Sequence, residues 1–482
     1  MEKQPELRRA LGPWAAIAVV IGTAIGSGIF LVPTKMIRAV GSPEMVFAVW
    51  IFGGILTLFG ALTYAELSAA MPGAGGEYVY LNAAYGRFFG FIYGWTQTWV
   101  AKAASIATLA TAFFTYLSNF FPQLNAVVYT LPLPIGPGWK PLEIRYGQLL
   151  AIVVILFLAG VNYLGVRVGG GVQVGVTALK VALILGLIVA GLTSSAGNVA
   201  NFGLGMPASP GGIPGFFVAL VAALWAYDGW NNAGMLGSEI ERPQRNLPLA
   251  LISGTLCMMA IYLLTNVAYF YILSGPEVGS EQSRMTGVAA VMMHRVLGAP
   301  GAAMVSVAAM ISIFAAMNGS ILSGARVPYA MARDGYFFRS IGTVNPQYRT
   351  PSAAILLLGV WSSAILLTGR YDELYTLVIF PSWILYGMTA ASVIVLRRKQ
   401  PDLPRPYRVW GYPLVPILFI CVALALLYST LLSSPRESGI GLVLIAAGLP
   451  FYFHWKGRII RETAMSPSEG PQSEPPGPGM GQ

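Results

Sequence analysis

Twelve runs of mainly apolar residues dominate the chain, at roughly 13–36, 44–70, 88–119, 146–164, 171–192, 214–237, 247–274, 300–331, 351–368, 374–396, 412–431 and 437–455. A hydrocarbon layer about 30 Å thick is crossed by about 20 such residues in a helix, whereas a barrel strand alternates over about 10. Runs of this length predict an all-α integral membrane protein with twelve transmembrane helices. Composition agrees, because 56% of the 482 residues are hydrophobic and 10% charged, too few polar groups to cover a water-soluble body of this size. The expected plan is a cytoplasmic N-terminus (1–12), a transmembrane domain (13–455) and a cytoplasmic, mostly disordered tail (456–482) that is Pro/Gly/Ser-rich from about 463.

The opening "MEKQPELRRALGPWAAIAVV" has the basic flank and apolar start of a secretory signal, but the run continues past the usual length without a small-residue cleavage site. It is read as a retained first helix. With the N-terminus inside, the inner segments carry 19 Lys and Arg against 8 in the outer loops, with Lys102 and Lys180 inside spans. That asymmetry places both termini in the cytoplasm and the protein in the cell membrane. It also accounts for the net charge of +10: inner stretches such as "RRKQPDLPRPYR" (397–408) face anionic lipid, and nucleic acid is not an expected partner. Cys257, Cys421, His294 and His454 lack metal-ligand spacing, and no CxxC, GxxxxGK or GxSxG occurs. No cofactor, metal or catalytic constellation is expected, and the chain is not read as an enzyme.

Two runs are interrupted by small and polar residues, the first at "GTAIGSGIF" (22–30) and the sixth at "AYDGWNNAG" (226–234). Ser27 follows Pro13, and Asp228 follows Pro214, by 14 residues. At 1.5 Å per residue each interruption lies about 21 Å into its helix, near mid-membrane. If spans 1–5 and 6–10 are repeats of odd helix number, the second copy is inverted, and matching interruptions in inverted halves mark a substrate site.

A helix broken in hydrocarbon leaves backbone groups that something must satisfy. Gly26 and Gly28 let the chain leave helical geometry around Ser27, and the amides that begin the next half-helix can hold a carboxylate. Carbonyls around Thr23 and Ala24 can accept from an ammonium group, so the pair suits an amino acid zwitterion. The alternative is that Gly22 and Gly26 form a GxxxG packing face. In the sixth run Trp225, Tyr227, Asp228, Trp230, Asn231 and Asn232 lie at membrane depth. Asp228 can neutralise a substrate amine or cationic side chain, cap a half-helix, or pair with an internal lysine. Trp225 can close over a substrate or simply pack.

Lys180 lies mid-way along span five, where three roles compete: a fixed cation in place of a sodium ion, a proton carrier, or a counter-ion to backbone carbonyls. The first is favoured. Lys102 is long enough to snorkel out of its span. Asn318, Ser320 and Ser323 in span eight are candidates to line the path, with Arg326 and Arg333 anchoring its inner end at lipid headgroups.

Taken together, "GTAIGSGIF", "LWAYDGW" followed by "ERPQRNLPLAL", "MNGSILSGAR" with "ARDG", and "MPGAGGEYVYLNAAYG" resemble the amino acid-polyamine-organocation superfamily, over about residues 10–455. Within it they look like the L-type amino acid transporters, the light subunits of heteromeric exchangers and their bacterial relatives. The resemblance implies a LeuT-type fold with a 5+5 inverted repeat (about 13–192 and 214–396), two peripheral helices (about 412–455), and helices 1 and 6 unwound at mid-membrane. It implies sodium-independent exchange of L-amino acids, neutral and cationic, by alternating access. By motif position, amides around Ser27 and Gly28 would hold the carboxylate, carbonyls near Thr23, Ala24 and Trp225 the amine, Trp225 would gate, Asn231 would select the side chain, and Lys180 would replace a sodium ion. Asp228 matches the branch that takes cationic as well as neutral substrates. Residues 120–145 lack the cysteine that metazoan light subunits use to bind an ancillary glycoprotein, so no disulfide-linked heavy subunit is expected. The alternatives are proton-coupled uptake of amino acids or polyamines, and a membrane amino acid sensor.

Overall fold

The computed structural model describes residues 6–132, 141–206, 211–368 and 371–465. The first apolar run forms two helices, α1 (Pro13–Ala24) and α2 (Gly28–Val40), bent by 43° across the intervening residues. α3 (Pro43–Ala70) starts where Ser42 accepts from the Met45 amide and Pro43 supplies a pre-set φ at the first helical position. A short α4 (Glu77–Tyr85) leads to α5 (Arg87–Thr96), which passes through a π-helical turn, Gln97–Ala101, into α6 (Lys102–Leu117). An antiparallel hairpin of β1 (Val127–Leu131) and β2 (Leu142–Arg145) precedes α7 (Tyr146–Tyr163) and α8 (Val166–Leu192).

The sixth run is also divided, into α9 (Gly212–Tyr227) and α10 (Asn232–Met235), followed by α11 (Pro243–Ile272). Three short helices, α12 (Gly275–Val278), α13 (Glu281–Thr286) and α14 (Val288–Leu297), connect to α15 (Ala299–Gly324) and its continuation α16 (Arg326–Arg333). α17 (Ser352–Leu366), α18 (Tyr371–Lys399), α19 (Leu414–Ser433), α20 (Pro435–Ala446) and α21 (Leu449–Met465) complete the chain. The terminal helix extends past the expected boundary at 455, where Trp455 packs at a tilt against Phe91 and Phe337 and Ile459 joins the same cluster. The tail expected to be disordered lies, from residue 466, outside the described residues.

Among the described residues nine helical segments are long and apolar enough to cross a membrane, and the bent α1–α2 pair makes a tenth when taken as one span. α9 and α17, with 16 and 15 residues, are shorter apolar helices. With backbone groups satisfied inside helices and apolar side chains such as Val189, Leu424 and Phe453 turned outward, this is an all-helical multi-pass membrane architecture. Burial sorts the helices: 78% of the apolar window is buried in α5–α6 and in α15–α16, against 28% in α19, so the former pairs form the centre and α19 the rim. α1 packs on α8, α11 and α15, α2 on α9, and α3 on α11.

One expectation fails in the fold. Arg326 is not at lipid headgroups: it is fully buried and bidentate to Glu239, with Nε at 2.6 Å from Oε2 and Nη2 at 2.8 Å from Oε1. A guanidinium out of water needs such a planar partner, and Glu239 lies 87 positions earlier, where no local pattern shows it. The Glu239 carbonyl also accepts from the amides of Ala10 and Leu11, and the Glu241 amide donates to the Leu11 carbonyl, so the segment before α1 is tied to the segment after α10.

Candidate functional site

The two helix breaks meet. α1 ends as Ile25 turns to φ −73°, ψ 89°, and Ser27 returns to helical angles immediately before α2. α9 ends at Tyr227, Asp228 is extended, and Gly229 has φ +100°, a left-handed conformation that favours glycine. A Cβ on Gly28 would lie 2.7 Å from Cα of Ala226, and one on Gly229 would lie 3.1 Å from Cγ2 of Thr23. The backbones of the breaks can cross this closely because neither position carries a side chain.

Beside that crossing is a small, partly open cavity of about 20 Å³. Thr23, Ala24, Gly26, Ser27 and Gly28 line it from the first break, and Trp225 and Asp228 from the second. The remaining wall is α6, through Ser105 and Leu109. Two other residues singled out in the sequence lie elsewhere. Tyr227 donates its hydroxyl to the Trp50 carbonyl at 3.1 Å and packs against Trp50 and Tyr262, and the Asn231 amide donates to the buried Glu77 carboxylate.

The carbonyls freed where α1 stops have protein partners. Lys180 Nζ, fully buried, donates to Gly22 O at 2.7 Å and Ile25 O at 2.5 Å and reaches Ser312 O at 3.5 Å. Ser312 Oγ donates to Ile25 O at 2.9 Å. Tyr262 Oη lies 2.6 Å from Ala226 O and 3.3 Å from Ala24 O, joining one break to the other. At the start of α2, the Phe30 amide donates to Ser27 O at 3.2 Å and the first turn sits at the positive end of the helix dipole. The cavity is thus lined by the positive end of the α2 dipole and by Asp228, whose Oδ1 accepts from the Tyr386 hydroxyl at 2.7 Å.

Sequence reasoning did not single out Tyr262, Ser312, Ser105, Glu77 or Tyr386. A tyrosine in an apolar run does carry a signal, since its hydroxyl must find a partner when buried; the serines and Glu77 sit among ordinary helix-lining residues. Of the polar positions in span eight, Asn318 bonds Gln173 and Asn162, and Ser323 bonds the Gly319 carbonyl of its own helix. With Ser320 they are buried in helix packing, away from the cavity. Lys102 does not snorkel: it is buried and donates to Asn232 Oδ1 at 2.6 Å.

Residues 11–449 match the amino acid permease family. The chain is 34% identical over 462 residues to the serine/threonine exchanger SteT of Bacillus subtilis (strain 168), covering 94% of this chain and 98% of the relative. It is 33% identical to the b(0,+)-type amino acid transporter 1 of Mus musculus (95% of this chain, 92% of the relative) and 30% identical to the cystine/glutamate transporter of Homo sapiens (94% and 86%).

Proposed function

The chain belongs to the amino acid permease family, and on that premise we propose that it is a secondary transporter that exchanges L-amino acids, neutral and cationic, without sodium. The observation that carries this reading is the crossing of two broken helices beside a cavity lined by both. The substrate carboxylate lies on the amides that begin α2, at Ser27 and Gly28, and the ammonium faces the carbonyls of Thr23, Ala24 and Trp225. Trp225 covers the substrate, and Asp228 meets a cationic side chain. Lys180 occupies, as a fixed cation, the carbonyl cage in which a sodium ion would otherwise sit, which is why exchange needs no sodium.

The architecture supports a twelve-span, 5+5 inverted repeat, with the α1–α2 pair, α9 and α17 counted as spans. Element lengths run in parallel: broken α1–α2 beside broken α9–α10; α3, 28 residues, beside α11, 30; α5–α6, 31 residues, beside α15–α16, 35; α8, 27 residues, beside α18, 29. α3 and α11 both begin with proline at the first helical position. Both termini then face the cytoplasm, and the protein resides in the cell membrane without a disulfide-linked partner.

Proteoliposomes test the reading. Uptake of [14C]-amino acid is expected to require an amino acid inside the vesicle and to ignore sodium and pH gradients. Uptake into empty vesicles driven by an inward proton gradient would replace exchange with proton coupling, and saturable binding with no uptake would make the protein a sensor.

A further inference from the structure

Lys102 and Glu77, beside the segment that carries Asp228, have no part in the reading above. Lys102, Ser105 and Leu109 stand at i, i+3 and i+7 on α6 and so share one face of that helix. Ser105 and Leu109 line the cavity, and Lys102 is one turn before them. The Lys102 ammonium donates to Asn232 Oδ1, and the neighbouring Asn231 amide donates to Glu77, a fully buried carboxylate on α4 that also accepts from the Tyr93 hydroxyl at 2.9 Å. Both asparagines lie between Asp228 and the first turn of α10, so Lys102 and Glu77 grip the segment that carries Asp228. Lys102 and Glu77 thus bond the adjacent asparagines that lie four and three residues after Asp228. Hydroxyls of Tyr64, Tyr80 and Tyr386 adjoin the carboxylates and bring no charge. The other buried ammonium, Lys180, is held by carbonyls of α1 and α15.

The group therefore holds two carboxylates to one ammonium. Charges this close in a low-dielectric interior act on one another far more strongly than in water. Glu77 and Asp228 each accept from neutral donors, and among the described residues Lys102 is the one cation bonded within this group. We propose that Lys102 and Glu77, neither of which lines the cavity, are specificity-determining residues that set the substrate side-chain charge through their balance with Asp228. One net negative charge admits a cationic side chain; Lys102 keeps the excess to one and so retains neutral substrates. This rests on the placement of Asp228 at the substrate side chain.

The test compares uptake of [14C]-arginine and [14C]-serine into amino acid-loaded proteoliposomes. Lys102→Gln is expected to raise the arginine-to-serine ratio about tenfold, equivalent to about 1.4 kcal/mol. Glu77→Gln lowers it by a similar factor, the double variant returns it toward that of the unmodified protein, and Lys102→Arg preserves it. A residue that only holds α10 in place would reduce both substrates together, so equal losses, or shifts of the same sign in the two single variants, overturn the proposal. If Lys102→Gln does not fold, Glu77→Gln and Lys102→Arg still decide, since an unchanged ratio in the former is fatal. Asp228→Asn separates the two levels: if it lowers the ratio while Glu77→Gln and Lys102→Gln leave it alone, the inference fails and the site stands. If Asp228→Asn itself leaves the ratio unchanged, the reading of the site fails.

Discussion

The two helix breaks solve one problem with different chemistry. At the first, the carbonyls left by α1 are bonded by groups from other helices, Lys180 of α8, Ser312 of α15 and Tyr262 of α11, while the break itself contributes backbone and small side chains. At the second, the break supplies its own polar side chains, Asp228, Asn231 and Asn232, which bond Tyr386, Glu77 and Lys102. A feature common to all substrates is best met by fixed backbone, and a variable feature by side chains that can be exchanged. Under the proposed function, the first break would meet the zwitterion shared by every amino acid and the second what differs among them.

Substitutions can break this division of labour, and the largest effect is expected at the crossing. In Gly28→Val even the Cβ would stand 2.7 Å from the Ala226 backbone, forcing the breaks apart, so uptake of every amino acid should fall to background in liposomes holding correctly folded protein. Next is Lys180→Met, which strips the Gly22 and Ile25 carbonyls of a charged donor. At about 1–3 kcal/mol for an orphaned buried acceptor, uptake of neutral and cationic substrates should drop together, by roughly tenfold or more. A change in their ratio would contradict the assignment of the first break to the common part.

Tyr262→Phe removes one hydroxyl from the Ala226 carbonyl and is expected to cost about 1 kcal/mol, seen as a roughly fivefold rise in KM with little selectivity. Tyr386→Phe removes a single bond to Asp228 and sharpens the contrast: the arginine KM should rise by a few-fold while the serine KM stays near its original value. Competition assays across both substrates check these variants.

The smallest effect belongs to an ion pair outside both breaks. Arg295 holds the Glu277 carboxyl down to about 2, below its ordinary 4.5. A depressed carboxyl adds stability above its unfolded value that fades as pH falls through 4.5 toward 2. Because the pair is partly exposed, Glu277→Gln should lower Tm slightly at pH 7, within the 0–1 kcal/mol typical of such pairs, and progressively less in acid. Thermal unfolding in detergent at pH 7 and pH 3 measures it.

Both breaks were legible in the sequence because small and polar residues in a membrane run violate a strong rule and therefore stand out. Their contact was half legible: equal depth suggested a meeting, but the glycine at 229 matters only because Thr23 lies against it. The bonds of Tyr262 to Ala24, Ser312 to Ile25 and Glu77 to Asn231 were hidden because each joins residues more than a hundred positions apart, which no local pattern shows. Arg326 misled for the related reason that an arginine at a helix end has a ready explanation in lipid, and only packing reveals Glu239. Tyr227 and Asn231 lay on the right segment, but an extended backbone at Asp228 redirects the residues around it.

The tie between the segment before α1 and the segment after α10 gives the molecule a fastener. Ala10, Leu11 and Glu241 share three backbone bonds around the same Glu239 that clasps Arg326, so these segments are joined at a residue that a buried ion pair holds in place. Release is then expected to be all-or-none, with the amides of Ala10, Leu11 and Glu241 exchanging hydrogen for deuterium at one shared rate. Separate rates would mean that the fastener opens tooth by tooth.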